Sequence, residues 1–139
     1  MHVRALADTG ALLAYLDRSD PWHERCREAF GQLRLPLSTS NAVLTELFHL
    51  LGDNPREVGL AWAFILSGAV TVLPILDGDL PDIEALMRKY HDRPMDYADG
   101  TLVHLAQRES LSTVFTIDHN DFATYRVGGR KRLRILPSG

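Results

Sequence analysis

Four carboxylates occupy positions that a fold normally gives to hydrophobic side chains. Asp8 ends the apolar stretch Val3 to Ala7, and Glu46 interrupts Ala42-Val43-Leu44-Thr45-Glu46-Leu47-Phe48. Asp99 opens the run that reaches Leu102-Val103-His104-Leu105-Ala106, and Asp118 closes Val114-Phe115-Thr116-Ile117. An unpaired buried charge costs roughly several kcal/mol even after relaxation. Brought together, such charges would also repel by on the order of 4 kcal/mol per pair at ~4 Å and an effective dielectric near ~20. A divalent cation is the simplest counterweight. Carboxylate oxygens without a cysteine cluster suit the hard cations Mg²⁺ and Mn²⁺, whereas zinc would want nitrogen or sulfur ligands. The six histidines, at 2, 23, 49, 91, 104 and 119, form no HxxxH or HExxH pair and read mainly as structural or surface residues.

Each acid also has a plainer reading. Asp96 and Asp99 are spaced i, i+3 and point the same way from the first turn of a helix, where the dipole favours negative charge; helices often simply begin with Asp. Glu46 shares a stripe with Val43 and Leu50, which gives it an inward face, yet it could instead pair on the surface with His49. Asp118 could be only a turn residue before His119-Asn120-Asp121.

The elements that must position these residues follow from the pattern of the whole chain. Val3–Ala7 reads as a short buried strand ending at Asp8, and Thr9–Leu16 as a helix capped by Asp8 or Thr9. Pro21 suits the first turn of a helix from Trp22 to about Leu33. Leu35–Thr39 is strand-like, and Ser40 or Asn41 caps a helix that runs through Leu51 and stops at Gly52. Asn54-Pro55 starts a helix from Arg56 to about Leu66, ended by Gly68. Val70–Pro74 is β-branched and strand-like; Asp79–Tyr90 and Asp96–Arg108 are helical, with 91–94 a loop between them. Thr113–Ile117 is a strand ending at Asp118, Asp121-Phe122 begins a short turn, and Leu133–Leu136 is a last strand. The order β-α-α-β-α-α-β-α-α-β-β argues for an α/β domain with a mostly parallel sheet. In such sheets ligands bind beyond the carboxyl ends of the strands, which is where Asp8 and Asp118 fall.

Composition bounds the rest. The 139 residues suggest one domain, 1–139, with 45% hydrophobic and 24% charged residues, as in ordinary soluble proteins. The longest apolar run, Leu60 to Leu66, is far too short to span a bilayer, and Met1-His2-Val3-Arg4 lacks the apolar core of a signal peptide. A single cysteine, Cys26, permits no intrachain disulfide and fits a reducing cytoplasm. The net charge of −3 does not announce a nucleic-acid binder. Even so, Arg126, Arg130, Lys131, Arg132 and Arg134 crowd the end of the chain, as either a solvated tail or a phosphate-contacting rim.

The segments Asp8-Thr9-Gly10-Ala11-Leu12, Thr45-Glu46, Met95-Asp96-Tyr97-Ala98-Asp99-Gly100-Thr101-Leu102-Val103 and Thr116-Ile117-Asp118-His119-Asn120-Asp121-Phe122 occur in this order. Together they resemble a PIN domain, most closely a VapC-type ribonuclease toxin, over essentially the whole chain. The resemblance implies a PIN-like α/β/α sandwich whose mostly parallel sheet has four to five short strands flanked by helices. It also implies a Mg²⁺- or Mn²⁺-dependent endoribonuclease that belongs to a toxin–antitoxin pair. The family's acidic quartet carries over onto Asp8, Glu46, Asp99 and Asp118, with Asp8 and Asp99 the firmest metal ligands and Glu46 and Asp118 direct or water-mediated members. Thr9, Asp96, Thr116 and Asp121 fall at supporting positions, and Arg126, Arg130 and Arg132 could hold flanking RNA phosphates. Gly100 departs from the alanine often found there. An antitoxin laid over the site, received by an apolar stripe around Trp22, Phe30 and Leu33 or around Trp62 and Phe64, and a homodimer are family expectations.

Two competing readings remain. A phosphoacceptor receiver domain would need a lysine at a late strand end, but the only lysines are Lys89 and Lys131. A catalytically silent PIN-like module that only docks RNA or protein is opposed by the intact quartet. No GxxxxGK[ST] phosphate loop occurs.

Overall fold

The computed structural model describes residues 2–93 and 95–139. Among them seven short strands form: β1 (Leu6–Ala7), β2 (Leu37–Thr39), β3 (Val70–Val72), β4 (Thr113–Phe115), β5 (Arg126–Val127), β6 (Lys131–Arg132) and β7 (Arg134–Leu136). The helices are α1 (Thr9–Leu16), α2 (His23–Phe30), α3 (Asn41–Leu51), α4 (Pro55–Phe64), α5 (Leu80–Lys89), α6 (Tyr97–Arg108) and α7 (His119–Thr124). Five strands make one sheet in the order β3-β2-β1-β4-β7, every pairing parallel, and β5 and β6 form a separate antiparallel hairpin. The three central strands are buried along their whole length while β3 and β7 at the edges are partly open. That is the pattern of a parallel sheet covered by helices on its faces.

This order fixes where a site can form. From β1 the chain moves outward through β2 to β3, then returns to the other side of β1 for β4 and β7. The switch of direction lies between β1 and β4, and a crevice opens there at the carboxyl ends of the strands. Asp8 follows β1, and Asp118 lies just beyond β4.

The helices beside the crevice are anchored by local chemistry. The Ser40 hydroxyl accepts the Val43 N–H at the start of α3, and Gly52, at φ 67°, ends that helix. Asp96 caps α6 by accepting the Asp99 N–H at 2.8 Å. A Cβ on Gly10 would stand 2.9 Å from Cγ1 of Ile117, so only glycine lets α1 start this close to the chain leaving β4. Gly100 sits close to α5 as well: a Cβ there would stand 3.2 Å from Ile83 and 3.4 Å from Met87, so that Ile83 would have to give by a few tenths of an ångström.

Several boundaries differ from the sequence expectation. The first strand is Leu6–Ala7; Val3 makes only an isolated parallel bridge to Leu33. The helix α2 stops at Phe30, and α4 stops at Phe64, passing into a π turn, Ile65–Ala69, in which Gly68 takes φ 89°. The stretch after Asp118 is a helix rather than a short turn, and the basic tail folds as the β5–β6 hairpin. Neither carries an apolar period, so pattern alone could not reveal them. The stripe of α3 also differs: Val43, Leu47 and Leu51 are buried, Leu50 is 56% exposed, and Glu46 is half-buried on the flank. In the loop read over 91–94, Pro94 lies outside the described residues, as does Met1.

The core gathers around β1, β2 and β4 and the inner faces of α1, α3 and α6. Phe30 stacks on Tyr15 at 4.2 Å, with Phe64 at 5.5 Å from the same ring, so these two aromatics are packing residues. Trp62 lies half-exposed against Phe48.

Candidate active site

Asp8 holds the N-cap position of α1, but its side chain caps nothing. The carboxylate turns into the crevice instead, where Oδ2 accepts the Thr116 hydroxyl at 2.9 Å. The same Thr116 oxygen accepts the Asp118 N–H at 3.0 Å, so one buried threonine links the acids that follow β1 and β4. Thr9 does not join them; its hydroxyl reaches the Val43 carbonyl on α3 at 3.4 Å.

Asp99 projects from the first turn of α6, and its Oδ2 accepts the Tyr125 hydroxyl at 2.9 Å. Asp118 caps α7 by accepting the Asp121 N–H at 3.2 Å. Asp99, Asp118 and Asp121 each offer a carboxylate oxygen within 4.8 Å of the others, which makes them the group best spaced to share a cation among the described residues. Asp8 stands close enough to act on Asp99 electrostatically. Glu46 and Asp96 face a neighbouring cavity of about 680 Å³ with Asn41, Thr45 and Tyr97 on its rim and Leu73 and Ile75 in its wall.

The elements carrying these acids are tied beneath the site by buried hydroxyls. Thr39 at the end of β2 donates to the Ala7 carbonyl at 2.8 Å, beside Asp8. Ser40 and Thr101 share a hydrogen bond of 2.8 Å, and Thr101 donates to the Ala98 carbonyl at 2.6 Å in the turn that holds Asp99. Since Thr101 spends its proton on Ala98, Ser40 must donate to Thr101 while accepting from Val43.

The electrostatics express burial first and crowding second. Burial pushes the Asp8 carboxyl up to about 6; the Thr116 hydrogen bond opposes this, and the charges of Asp118 and Glu46 add to it. Burial, followed by Asp8 and Asp96, drives Asp99 to about 8. Asp118 is raised chiefly by burial, and Glu46 by burial and then by Asp96. Burial and the Asp99 charge hold the Tyr125 hydroxyl firmly protonated, as a donor must be. Among the described residues the one ion pair on these acids is Arg93 with Asp121, at 3.5 Å. Oxygen donors crowded this way, with little cationic compensation, fit a divalent metal ion.

The basic residues are spread. The Arg126 Nη1 is occupied by the carbonyls of Ala123, Thr124 and Tyr125, at 2.8, 2.9 and 3.2 Å. Arg132 pairs with Arg126 across the hairpin, whose turn includes the exposed Arg130 and brings Gly128 against Gln107. That is ~12 Å along α6 from Asp99, at 1.5 Å rise per residue. Arg134 begins β7, at the amino end of the sheet and away from the crevice. Sequence reasoning missed Tyr125, Arg93 and the Ser40–Thr101 pair. Tyr125 stands four residues after Asp121, but nothing in its neighbours marks its hydroxyl as a partner of an acid on another helix.

Residues 5–128 match the family model of the PIN domain. The chain is 29% identical over 142 residues to Ribonuclease VapC26 of Mycobacterium tuberculosis (strain ATCC 25618 / H37Rv), an alignment covering 95% of this chain and 99% of that protein. It also superimposes on the crystal structure of Mycobacterium tuberculosis VapC20, described as a Sarcin-Ricin loop cleaving toxin. There the TM-score is 0.74 and the identity 21%, over 84% of this chain and 93% of that one.

Proposed function

The chain belongs to the PIN domain family, and from that premise we propose that it is a Mg²⁺- or Mn²⁺-dependent endoribonuclease, acting as the toxin of a toxin–antitoxin pair. One observation carries the reading: Asp99, Asp118 and Asp121 cluster at the carboxyl ends of a parallel sheet with Asp8 buried beside them, Asp8 and Asp99 are held at raised pKa, and among the described residues a single arginine pairs with these acids. The similarity to a protein named Ribonuclease VapC26 over nearly the whole of both chains supports the choice of RNA as substrate.

Asp8 and Asp99 would hold the ion, with Asp118, Asp121 and Glu46 completing the site directly or through water. When bound, the ion polarises the scissile phosphate and lowers the pKa of a water. Asp118 or Glu46 orients the attacking water and takes its proton as general base. Displacement in line at phosphorus forms the bond to the water oxygen and breaks the bond to the 3′-oxygen, which takes a proton from solvent, leaving a 5′-phosphate and a 3′-hydroxyl. Thr116 holds Asp8 and Asp118 in register, and Asp96 fixes the first turn that presents Asp99. Arg126, Arg130 and Arg132 would contact flanking phosphates. We place the protein in the cytoplasm, as a homodimer whose antitoxin covers the crevice; no described helix is long and apolar enough to cross a membrane.

The test is cleavage of a mixed RNA pool by the purified protein with Mg²⁺ or Mn²⁺, set against Asp8→Asn and Asp99→Asn. Cleavage by the wild type and its loss in both variants is expected, with circular dichroism unchanged. Full activity in either variant would sink the assignment.

A further inference from the structure

Tyr125 is fully buried, yet its hydroxyl ends on an ionisable group of the site. The ring packs edge-on against Phe122 at 5.2 Å and Tyr90 at 5.1 Å, which fixes its direction. The backbone N–H of Tyr125 bonds to the Asp121 carbonyl and so closes α7, the helix that begins at Asp118 and includes Asp121. One residue therefore touches both sources of carboxylates: α7 through its backbone and α6 through its hydroxyl. A buried tyrosine hydroxyl needs an acceptor, and the core offers backbone carbonyls at many places. Here the acceptor is instead the acid that offers a carboxylate oxygen within 4.8 Å of one from each of Asp118 and Asp121.

We infer that Tyr125 is a positioning residue: its hydroxyl pins Oδ2 of Asp99, leaves Oδ1 as the oxygen offered to a cation, and locks α6 to α7 at the spacing the shared ion requires. The inference rests on the metal-dependent reading above. It assigns a purpose to the segment after Asp118, and it explains why an aromatic cluster sits directly beneath crowded acids. A ligand carboxylate is commonly oriented by a second hydrogen bond of this kind, and loss of such a partner typically weakens metal binding or activity by about 10–100-fold.

The test is Mn²⁺ binding, read from the electron paramagnetic resonance of free Mn²⁺, for the wild type, Tyr125→Phe and Tyr90→Phe. Tyr90 belongs to the same aromatic cluster, but its hydroxyl accepts the Arg126 N–H rather than meeting Asp99. The expected result is Mn²⁺ affinity about 10–100-fold lower in Tyr125→Phe, with its metal-free circular dichroism preserved and Tyr90→Phe close to the wild type. Affinity of Tyr125→Phe within about twofold of the wild type, or an equal loss in Tyr90→Phe, would overturn the inference and leave the nuclease reading standing. A wild type that binds no Mn²⁺ would overturn both.

Discussion

The two ends of α6 treat a carboxylate in opposite ways. Near its C-terminus Asp79 is fully partnered: Oδ1 meets His104 Nε2 at 2.8 Å, and Oδ2 accepts both Arg108 Nη1 and the Leu76 N–H at 2.8 Å. The Leu76 N–H, then His104 and Arg108, hold that carboxyl below its ordinary value. Arg108 goes on to the Pro74 carbonyl and to Glu109, each at 2.9 Å, so the cluster clamps the start of α5 and the segment after β3 to the end of α6. At the N-terminal end burial, and then the neighbouring acids Asp8 and Asp96, drive Asp99 up to about 8. One end of α6 thus partners an acid from the turn before α5 and stabilises the fold, while the other end carries an acid that strains it. Asp79 is satisfied by His and Arg; at the crevice the described side chains supply two hydroxyls and one arginine, beside the Asp121 N–H on Asp118. A repulsion kept where partners could have been placed is the mark of a site set aside for a ligand.

Exchanging the two ends in separate variants gives the largest contrast. Asp99→Asn should lower RNA cleavage by about 10²–10³-fold, the range for loss of one electrostatic stabiliser of the transition state, while raising the melting temperature in metal-free buffer. Asp79→Ala should do the reverse, lowering the melting temperature by a few degrees with cleavage nearly unchanged. Thermal melts paired with an RNA cleavage assay read both. If the two variants lose activity alike, the division of labour along α6 is wrong.

Metal should erase the strain at one end only. An ion that binds the folded protein stabilises it by about 2.7 kcal/mol at a hundredfold excess over its Kd, a shift on the order of 10 °C for a chain of this size. The shift should persist in Asp79→Ala and shrink sharply in Asp99→Asn. A flat melting temperature across a Mg²⁺ or Mn²⁺ titration would remove the metal from the account.

Proton binding offers a milder version of the same comparison. Asp8 and Asp99 have folded-state pKa values of about 6 and about 8, above the ordinary 3.8. The folded chain therefore binds more protons than the unfolded one across that window, and metal-free stability must fall as pH rises from about 4 through about 8. Asp79 has the opposite sign, since its lowered value gives stability that is lost only as pH falls through its folded pKa, below 3.8. Melts in chelator from pH 5 to 8.5 should slope downward, and Asp99→Asn should flatten the upper half.

How much of this was legible in the sequence depends on the range of the interaction. Asp8 and Asp118 could be placed because a strand end is a local signal and the parallel order put both at one edge of the sheet. A helix beginning at Asp96 and Gly52 as a stop are equally local, although the capping role of Asp96 emerges only in the structure. The stripe through Leu50 failed because steps of three and four residues diverge around a helix: Val43, Leu47 and Leu51 take the core, and Glu46 is left on the flank. The bond between Tyr125 and Asp99 spans 26 residues and that between Ser40 and Thr101 spans 61, so only the assembled fold brings them together. The close approach of Gly100 to Ile83 on α5 is likewise not announced by the sequence around it.

The smallest effect tests whether the neutral hydroxyl on Asp8 plays the part that His104 and Arg108 play for Asp79. Thr116 donates to Asp8 at 2.9 Å and also accepts the Asp118 N–H, whereas the Thr9 bond to Val43 is long, at 3.4 Å. Thr116→Val keeps the shape but removes a counterweight on Asp8 and leaves a partly buried N–H without its acceptor, at a cost of about 1–3 kcal/mol. Thr9→Val should cost less than about 1 kcal/mol, since so long a bond contributes little. Urea unfolding of both variants in chelator measures the difference. Cleavage should fall by about tenfold or more in Thr116→Val, as for loss of a group that orients a ligand, and should stay near the wild type in Thr9→Val. Equal losses in the two variants would mean that Thr116 serves only the fold, and that Asp8 has no counterpart to the partners of Asp79.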